Sequence, residues 1–295
     1  MKIGFWGVGF MGAPLAHRLA EAGYSVRAYS REMSKALAAV GQKGTATTRR
    51  ADLAECGILF TCLALPEHVR CAVAGPAGLY GRMASGSMHV ECSTIDPALA
   101  ESLAEEAATH GIAYVQATLG KTPQMAARGE APMFVGGETA DKERIWPVLE
   151  AMGLPVDVGS IRASCAVKLV SNLVGMTNLA VLAEGMRLGR EAGLPQDLLL
   201  RILMDSGARS FQLENRGPMM AQGDFTPRFL LRLAHKDMRL GCEMARQQQV
   251  FCPIMEEARA AYAAAEAQGL GEKDCAAVSE LALTARETGK PGEDA

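Results

Sequence analysis

Residues 2–23, KIGFWGVGFMGAPLAHRLAEAG, decide the fold. A short apolar run from Lys2 to Trp6 ends in Gly7-x-Gly9-x-x-Gly12 and passes directly into a helical pattern. That order is a dinucleotide grip. Gly7 allows a tight turn out of a strand, and Gly9 lets the backbone approach a pyrophosphate. Gly12 lets helix and strand pack closely while the helix N-terminus faces the anion. Phe10 and Met11 complete the cofactor-binding turn. A strand before it and a helix after it separate this pattern from a chance glycine-rich loop.

An acidic residue that would hold a ribose 2′-hydroxyl is expected about 20 residues further on. The second apolar run, YSVRAYSR, ends instead in Ser30 and Arg31. A hydroxyl followed by a guanidinium suits a 2′-phosphate, because Arg holds phosphate oxygens in a bidentate fork. NADP(H) is therefore favoured, with Lys35 one helical turn later either adding charge or standing solvated. Glu32 keeps NAD(H) as the alternative, since its carboxylate suits a ribose.

Apolar stretches alternate with helical patterns through the first half: KIGFWG, YSVRAY, GILFTCLAL, MHVEC, IAYVQA, PMFVGG and PVDVG. Such alternation predicts an α/β fold with a mostly parallel, doubly wound sheet. After Gly159 the pattern changes to a long proline-free run, Ala163 to Gly193, apolar nearly all round, which reads as a central buried helix. DLLLRILMDSG, FLLRLAHKDMRLGCEMARQQQ, PIMEEARAAYAAAEAQG and KDCAAVSELALTARETG follow as further helices. The expected domains are a dinucleotide-binding domain over 1–160 and an all-α domain over 161–295, with GKPGEDA as a frayed tail.

The 295 residues, 49% hydrophobic and 21% charged, suffice for two globular domains. A net charge of −3 with scattered basic residues leaves no footprint for nucleic acid. Eight cysteines without a C-x-x-C pair read as reduced, buried small hydrophobes of a cytoplasmic protein. The five histidines form no cluster with metal-ligand spacing, so no metal site is expected. No uninterrupted apolar span for a membrane is read, and the glycines and Pro14 break up the apolar N-terminus as a signal peptide.

Four further segments carry candidate chemistry. Lys168 and Asn172 lie four apart in the long helix, hence on one face. They are either a functional pair or part of an exposed stripe with Ser171. Ser93 and Thr94 follow an apolar strand and either cap the next helix or hydrogen-bond a carboxylate or a nicotinamide amide. Leu65 and Pro66, also at a strand end, either form a plain turn or pack on the cofactor. Gly120, Lys121 and Thr122 follow a third strand, where the glycine permits close approach and the lysine meets an anion. They are not a P-loop, because Val115 stands where the upstream glycine belongs. His235-Lys236-Asp237 reads by spacing as a surface charge cluster.

Taken together and in this order, Gly7-Val8-Gly9-Phe10-Met11-Gly12, Ser93-Thr94-Ile95-Asp96-Pro97, Lys168 with Asn172, and His235-Lys236-Asp237 resemble the β-hydroxyacid dehydrogenase family over nearly the whole chain. The resemblance implies a Rossmann domain joined through a long helix to an all-α domain, usually in dimers or tetramers, with the site between domains. It implies Lys168 as catalytic lysine, Asn172 as its partner and substrate ligand, and Ser93 at the nicotinamide or substrate. It implies Lys236 as the lysine that closes over the cofactor. The reaction would interconvert a small aldehyde acid and its hydroxy acid.

One segment departs from the family. Where D-A-P-V-S-G-G is usual, this chain has Gln116-Ala117-Thr118-Leu119-Gly120-Lys121-Thr122, nearest to the G-R-T loop of the sulfolactaldehyde reductase branch. Lys121 would meet a second or stronger anionic group. Arg162 and Ser164 replace glycines before the lysine, Arg162 serving either an anion or the surface. The competing readings are an imine reductase, which Lys168 disfavours, and a dinucleotide-binding module without catalysis.

Overall fold

A computed structural model describes residues 2–281, so the expected tail at 289–295 lies outside the described residues. Eight strands form one sheet: β1 (Lys2–Trp6), β2 (Ser25–Tyr29), β3 (Thr45–Thr47), β4 (Ile58–Thr61), β5 (Met88–Glu91), β6 (Ala113–Leu119), β7 (Pro132–Gly137) and β8 (Leu154–Gly159). Their order is β3-β2-β1-β4-β5-β6-β7-β8. Every neighbouring pair is parallel except β6 with β7. The chain reverses its strand order between β1 and β4, and ligands bind outside the carboxyl ends of strands at such a switch point. The three-residue β3 was not anticipated. TAT has no run long enough to show periodicity, and it becomes a strand by pairing with Arg27 to Tyr29.

The helices are α1 (Gly12–Glu21), α2 (Met33–Val40), α3 (Pro66–Val73), α4 (Pro97–Thr109), α5 (Pro123–Arg128), α6 (Thr139–Met152), α7 (Ile161–Glu191), α8 (Gln196–Met204), α9 (Phe211–Gln222), α10 (Leu231–Gln247) and α11 (Pro253–Ala265). In α1, Leu15, Ala16, Leu19 and Ala20 are buried at helical spacing against the sheet core of Ile3, Phe5, Val26 and Phe60. α4 starts where Pro97 follows Asp96, whose carboxylate accepts from Leu99 N at 2.9 Å. α9 was missed because Gly217-Pro218 reads as a breaker. Glycine tolerates the position before proline, Ser210 caps the helix, and a Cβ on Gly217 would meet Leu200 at 2.8 Å, so the residue also allows close packing.

The chain forms two compact units. Among the described residues, the first comprises 2–174 and 236–252, the second 175–235 and 253–281. The first half of α7, assigned by sequence to the helical domain, thus belongs with the sheet. In the second unit, buried Arg216 donates to Asp274 at 2.9 Å, and Asp274 also accepts from the amides of Arg228, Phe229 and Ala276.

α7 is not buried all round. Leu169, Leu173, Met176, Leu179, Ala183 and Met186 are buried, whereas Val167, Val170, Val174, Val181 and Leu188 are exposed, Leu188 by 72%. The helix is also long and apolar enough, by length and composition, to cross a membrane, contrary to the sequence expectation that no such span exists. Its few charged residues do not offset the apolar ones in the count. Of the cysteines, Cys71 is exposed, Cys62 and Cys252 are half-buried, and the other five are buried.

Candidate active site

The glycine turn comes first. After β1, Gly7 takes φ +109, and a Cβ there would meet Cys62 O at 2.2 Å. A Cβ on Gly12 would meet Gly7 O at 1.9 Å. Both glycines are required by the protein itself. A Cβ on Gly9 would meet nothing within 4 Å. No packing demands that glycine, and the open space above it, at the start of α1, is what a pyrophosphate needs. Phe10, 56% exposed, and Met11 complete the turn. The residues present therefore fit a dinucleotide.

Ser30 lies at the end of β2, its amide donating to Thr47 O at 3.2 Å, with Arg31 exposed beside it. Lys35 is paired with Glu32 at 2.6 Å. The lysine considered for a phosphate and the carboxylate considered for a ribose thus neutralise each other. Leu65 precedes Pro66 at the start of α3, at the end of β4.

Ser93 and Thr94 follow β5. Ser93 is buried, and its Oγ accepts from Leu63 N at 2.7 Å, tying together the loops after β4 and β5. Its amide donates to Glu91 Oε1 at 2.5 Å. Asp96, rather than Ser93 or Thr94, caps α4. Lys236 Nζ reaches Thr94 O at 2.9 Å.

Lys168 and Asn172 share one face of α7, with Lys168 Nζ donating to Asn172 Oδ1 at 3.1 Å. Asn172 Nδ2 donates to Asp237 Oδ2 at 2.5 Å. Asp237 Oδ1 stands 2.7 Å from Lys236 Nζ as an ion pair without hydrogen-bond geometry. Burial lowers the Lys168 pKa below that of a free lysine, Asp237 raises it, and Lys236 lowers it again. Cys62 lies in the same field, but burial pushes its thiol up to about 12, which makes it a poor nucleophile. All of these residues belong to the first unit.

Asp237 is the member of this hydrogen-bonded cluster that the sequence reading passed over. In HKD it reads as one charge of a surface cluster, yet its side chain is only 3% exposed. The apolar Ala234, Met238 and Cys242 beside it in α10 were the available signal.

Gly120, Lys121 and Thr122 follow β6, which is parallel to β5, so this loop lies at the same edge of the sheet. Lys121 has φ 61, a left-handed conformation that costs a side-chain-bearing residue energy. Thr122 caps α5, accepting from Met125 N at 3.4 Å. Gln116 is fully buried and donates to Glu91 O and Ser93 O, so it braces the loop from below. Arg162 pairs with Glu101, the surface reading, and Ser164 donates to Phe134 O at 2.6 Å within the fold.

Residues 2–165 match the family described as the NAD binding domain of 6-phosphogluconate dehydrogenase, and residues 163–282 that described as the NAD-binding domain of NADP-dependent 3-hydroxyisobutyrate dehydrogenase. The chain is 33% identical to 2-(hydroxymethyl)glutarate dehydrogenase of Eubacterium barkeri, covering 94% of this chain and 93% of that one. It is 27% identical to 3-sulfolactaldehyde reductase of Escherichia coli, covering 94% of each. Among solved structures, 3-hydroxyisobutyrate dehydrogenase of Salmonella typhimurium superposes with a TM-score of 0.88 at 25% identity, covering 96% of this chain and all of that one.

Proposed function

From membership of the β-hydroxyacid dehydrogenase family, to which this chain belongs as an NAD(P)-dependent oxidoreductase, we propose that it interconverts a small aldehyde acid and its hydroxy acid with a preference for NADPH. The hydrogen-bonded run Lys168–Asn172–Asp237 beside the Ser93-Thr94 loop carries the reading. It is an ammonium held in one place at the carboxyl ends of the strands.

A bound nicotinamide supplies the hydride for reduction or accepts it in the reverse direction. The chain's own residues handle the proton. Lys168 donates it from Nζ to the carbonyl oxygen as that oxygen gains negative charge, and recovers it from the hydroxyl in oxidation. Asn172 keeps Nζ aimed while Asp237 keeps Asn172 aimed. The substrate carboxylate is received by Thr94 and Asn172, with Gly120 and Thr122 close to its far end, while Ser93, engaged by Glu91 and Leu63, holds the loop in place. Lys121 meets a second anionic group there, a carboxylate or a sulfonate. Arg31 and Ser30 receive the 2′-phosphate, with Lys35 joining once it leaves Glu32. Leu65 and Pro66 pack on the cofactor, and Lys236 closes the loop over it.

The exposed stripe of α7 repeats every seven residues at Val167, Val174, Val181 and Leu188, a spacing that suits packing against another helix. A homodimer or homotetramer that covers it belongs to the same proposal, as does a cytoplasmic location.

The test is initial-rate oxidation of NADPH and of NADH with glyoxylate, succinic, tartronate and methylmalonate semialdehydes and sulfolactaldehyde. Oxidation of 2-(hydroxymethyl)glutarate and turnover of cyclic imines are run alongside. Preference for an acid aldehyde, lost by about 10²-fold or more in Lys168→Ala, supports the reading. Equal activity in Lys168→Ala removes the mechanism, and turnover of imines alone removes the substrate class.

A further inference from the structure

Beneath the Ser93 loop, one face of the sheet carries a row of buried polar side chains. The register of β4, β5 and β6 aligns Leu59, His89 and Tyr114, and then Thr61, Glu91 and Gln116. Alternation puts His89 and Glu91 on the same face. Thr61, His89, Glu91 and Gln116 are wholly buried, and Tyr80 nearly so. None of them has a part in the mechanism above.

Their hydrogen bonds have one consistent direction when Glu91 is ionised. Thr61 Oγ1 donates to Glu91 Oε2 at 2.6 Å, which uses its single proton. The 2.6 Å contact between Thr61 Oγ1 and His89 Nε2 then requires a proton on Nε2. Burial drives the His89 pKa down to about 3, so the ring is neutral and its Nδ1 accepts from Tyr80 OH at 2.7 Å. The protons run from Tyr80 to His89 to Thr61 to Glu91.

A proton added to Glu91 reverses every link without moving a heavy atom. Glu91 Oε2 then donates to Thr61, Thr61 to His89 Nε2, and His89 Nδ1 to Tyr80, whose own hydroxyl proton turns away from the ring. Ser93 changes too, because its amide and hydroxyl hold the carboxylate, and a bond to a charged acceptor is about twice as strong as one to a neutral acceptor. Burial raises the Glu91 carboxyl to about 7, so both forms are populated near neutrality.

The other groups facing Glu91 stay neutral there. Burial raises the Cys62, Cys92 and Cys165 thiols and the Tyr80 and Tyr114 hydroxyls. The charges of Lys168 and Lys236, like that of Glu91, are felt at the Cys62 sulfur.

We propose that Glu91 is a positioning residue for the reaction, whose proton sets both the direction of the Thr61–His89–Tyr80 chain and the firmness of its hold on the Ser93-Thr94 loop. The catalytic consequence rests on the function proposed above; the switch in the chain does not. Ionised Glu91 holds the loop for turnover, and protonated Glu91 loosens it.

The decisive measurement is ¹⁵N NMR of the His89 ring in the whole protein from pH 5 to 9, assigned with His89→Asn. The expected result is a neutral ring throughout that passes from the Nδ1–H to the Nε2–H tautomer as pH rises through neutrality. In Glu91→Gln the amide donates to Thr61, so the ring should keep Nδ1–H at every pH. A single tautomer in the wild type, or an unchanged switch in Glu91→Gln, overturns the proposal. In turnover, kcat/KM should carry an acid limb of the same sense in both reaction directions. Glu91→Gln should lack it and stay near the acid-side level, about fivefold below the wild-type maximum. An acid limb that persists in Glu91→Gln also overturns the proposal. Absence of turnover with every acid aldehyde overturns the functional reading alone, and the tautomer result still decides the role of Glu91.

Discussion

Asn172 and Asp237, 65 residues apart in sequence, meet at 2.5 Å, and the contact brings a carboxylate into the field of Lys168. Asp237 raises the Lys168 pKa that burial lowers. Asp237→Asn keeps an acceptor for Asn172 and removes the charge, so Lys168 loses its proton at lower pH. On the proposed mechanism reduction uses protonated Lys168 and should fail earlier on the alkaline side, whereas oxidation uses neutral Lys168 and should rise earlier. The expected loss in reductive kcat/KM at pH 8 is roughly tenfold to a hundredfold. Profiles for both directions check it, and unshifted alkaline limbs would leave Asp237 with no electrostatic role.

Gly9 allows the proposed cofactor contact to be tested apart from folding. Its Cβ position is open, unlike those of Gly7 and Gly12. Gly9→Ala should therefore keep thermal stability within about 0.5 kcal/mol, while NADPH binding weakens at least tenfold because a methyl occupies the pyrophosphate's place. Gly12→Ala should not fold normally. Fluorescence titration of both cofactors and a melting curve read the two effects.

Lys121 combines strain with the proposed substrate contact. Lys121→Gly relieves the left-handed conformation and should stabilise the protein by about 1 kcal/mol. The same change should raise KM for a dianionic substrate far more than for glyoxylate. A gain in stability with no change in that selectivity would mean that the cation faces solvent only.

The stripe on α7 bears on assembly. Val181 and Leu188 are 59% and 72% exposed in the single chain. The double change Val181→Glu and Leu188→Glu should leave helicity intact and reduce the mass in solution to that of one chain, measured by light scattering. An unchanged oligomer would place the interface elsewhere.

Glu91 affects stability as well as the loop. Its carboxyl is raised from the usual 4.5 to about 7, so the fold favours the protonated form. That contribution is complete below about 4.5 and is lost as pH rises through about 7. Glu91→Gln should match the wild type near pH 5 and exceed its stability at pH 8.5 by about 3 kcal/mol, as denaturant unfolding at the two pH values would report. Equal stability at pH 8.5 would mean that the ionised carboxylate is well solvated.

The glycine turn and seven of the strands were legible because their signals are local: a turn chemistry, a period of two, a cap. Lys168 and Asn172 were legible as a pair because one helical turn brings them together. β3 was invisible because three residues carry no period. α9 was obscured by Gly217-Pro218, which tertiary packing accepts. Asp237 looked like surface charge because neighbours in sequence say little about what covers a side chain.

By itself the sequence determined the family, the order of sheet and helices, the dinucleotide grip and the lysine on the long helix, all of which follow from backbone geometry within a few residues. Only the tertiary structure decided that Asp237 steadies Asn172, that Lys35 is held by Glu32, that Gln116 braces the Ser93 loop, and that Glu91 lies buried under that loop. Those roles depend on which side chains from distant segments share a low-dielectric interior. There a lone charge is costly and each hydrogen bond needs a partner, a condition that no local pattern encodes.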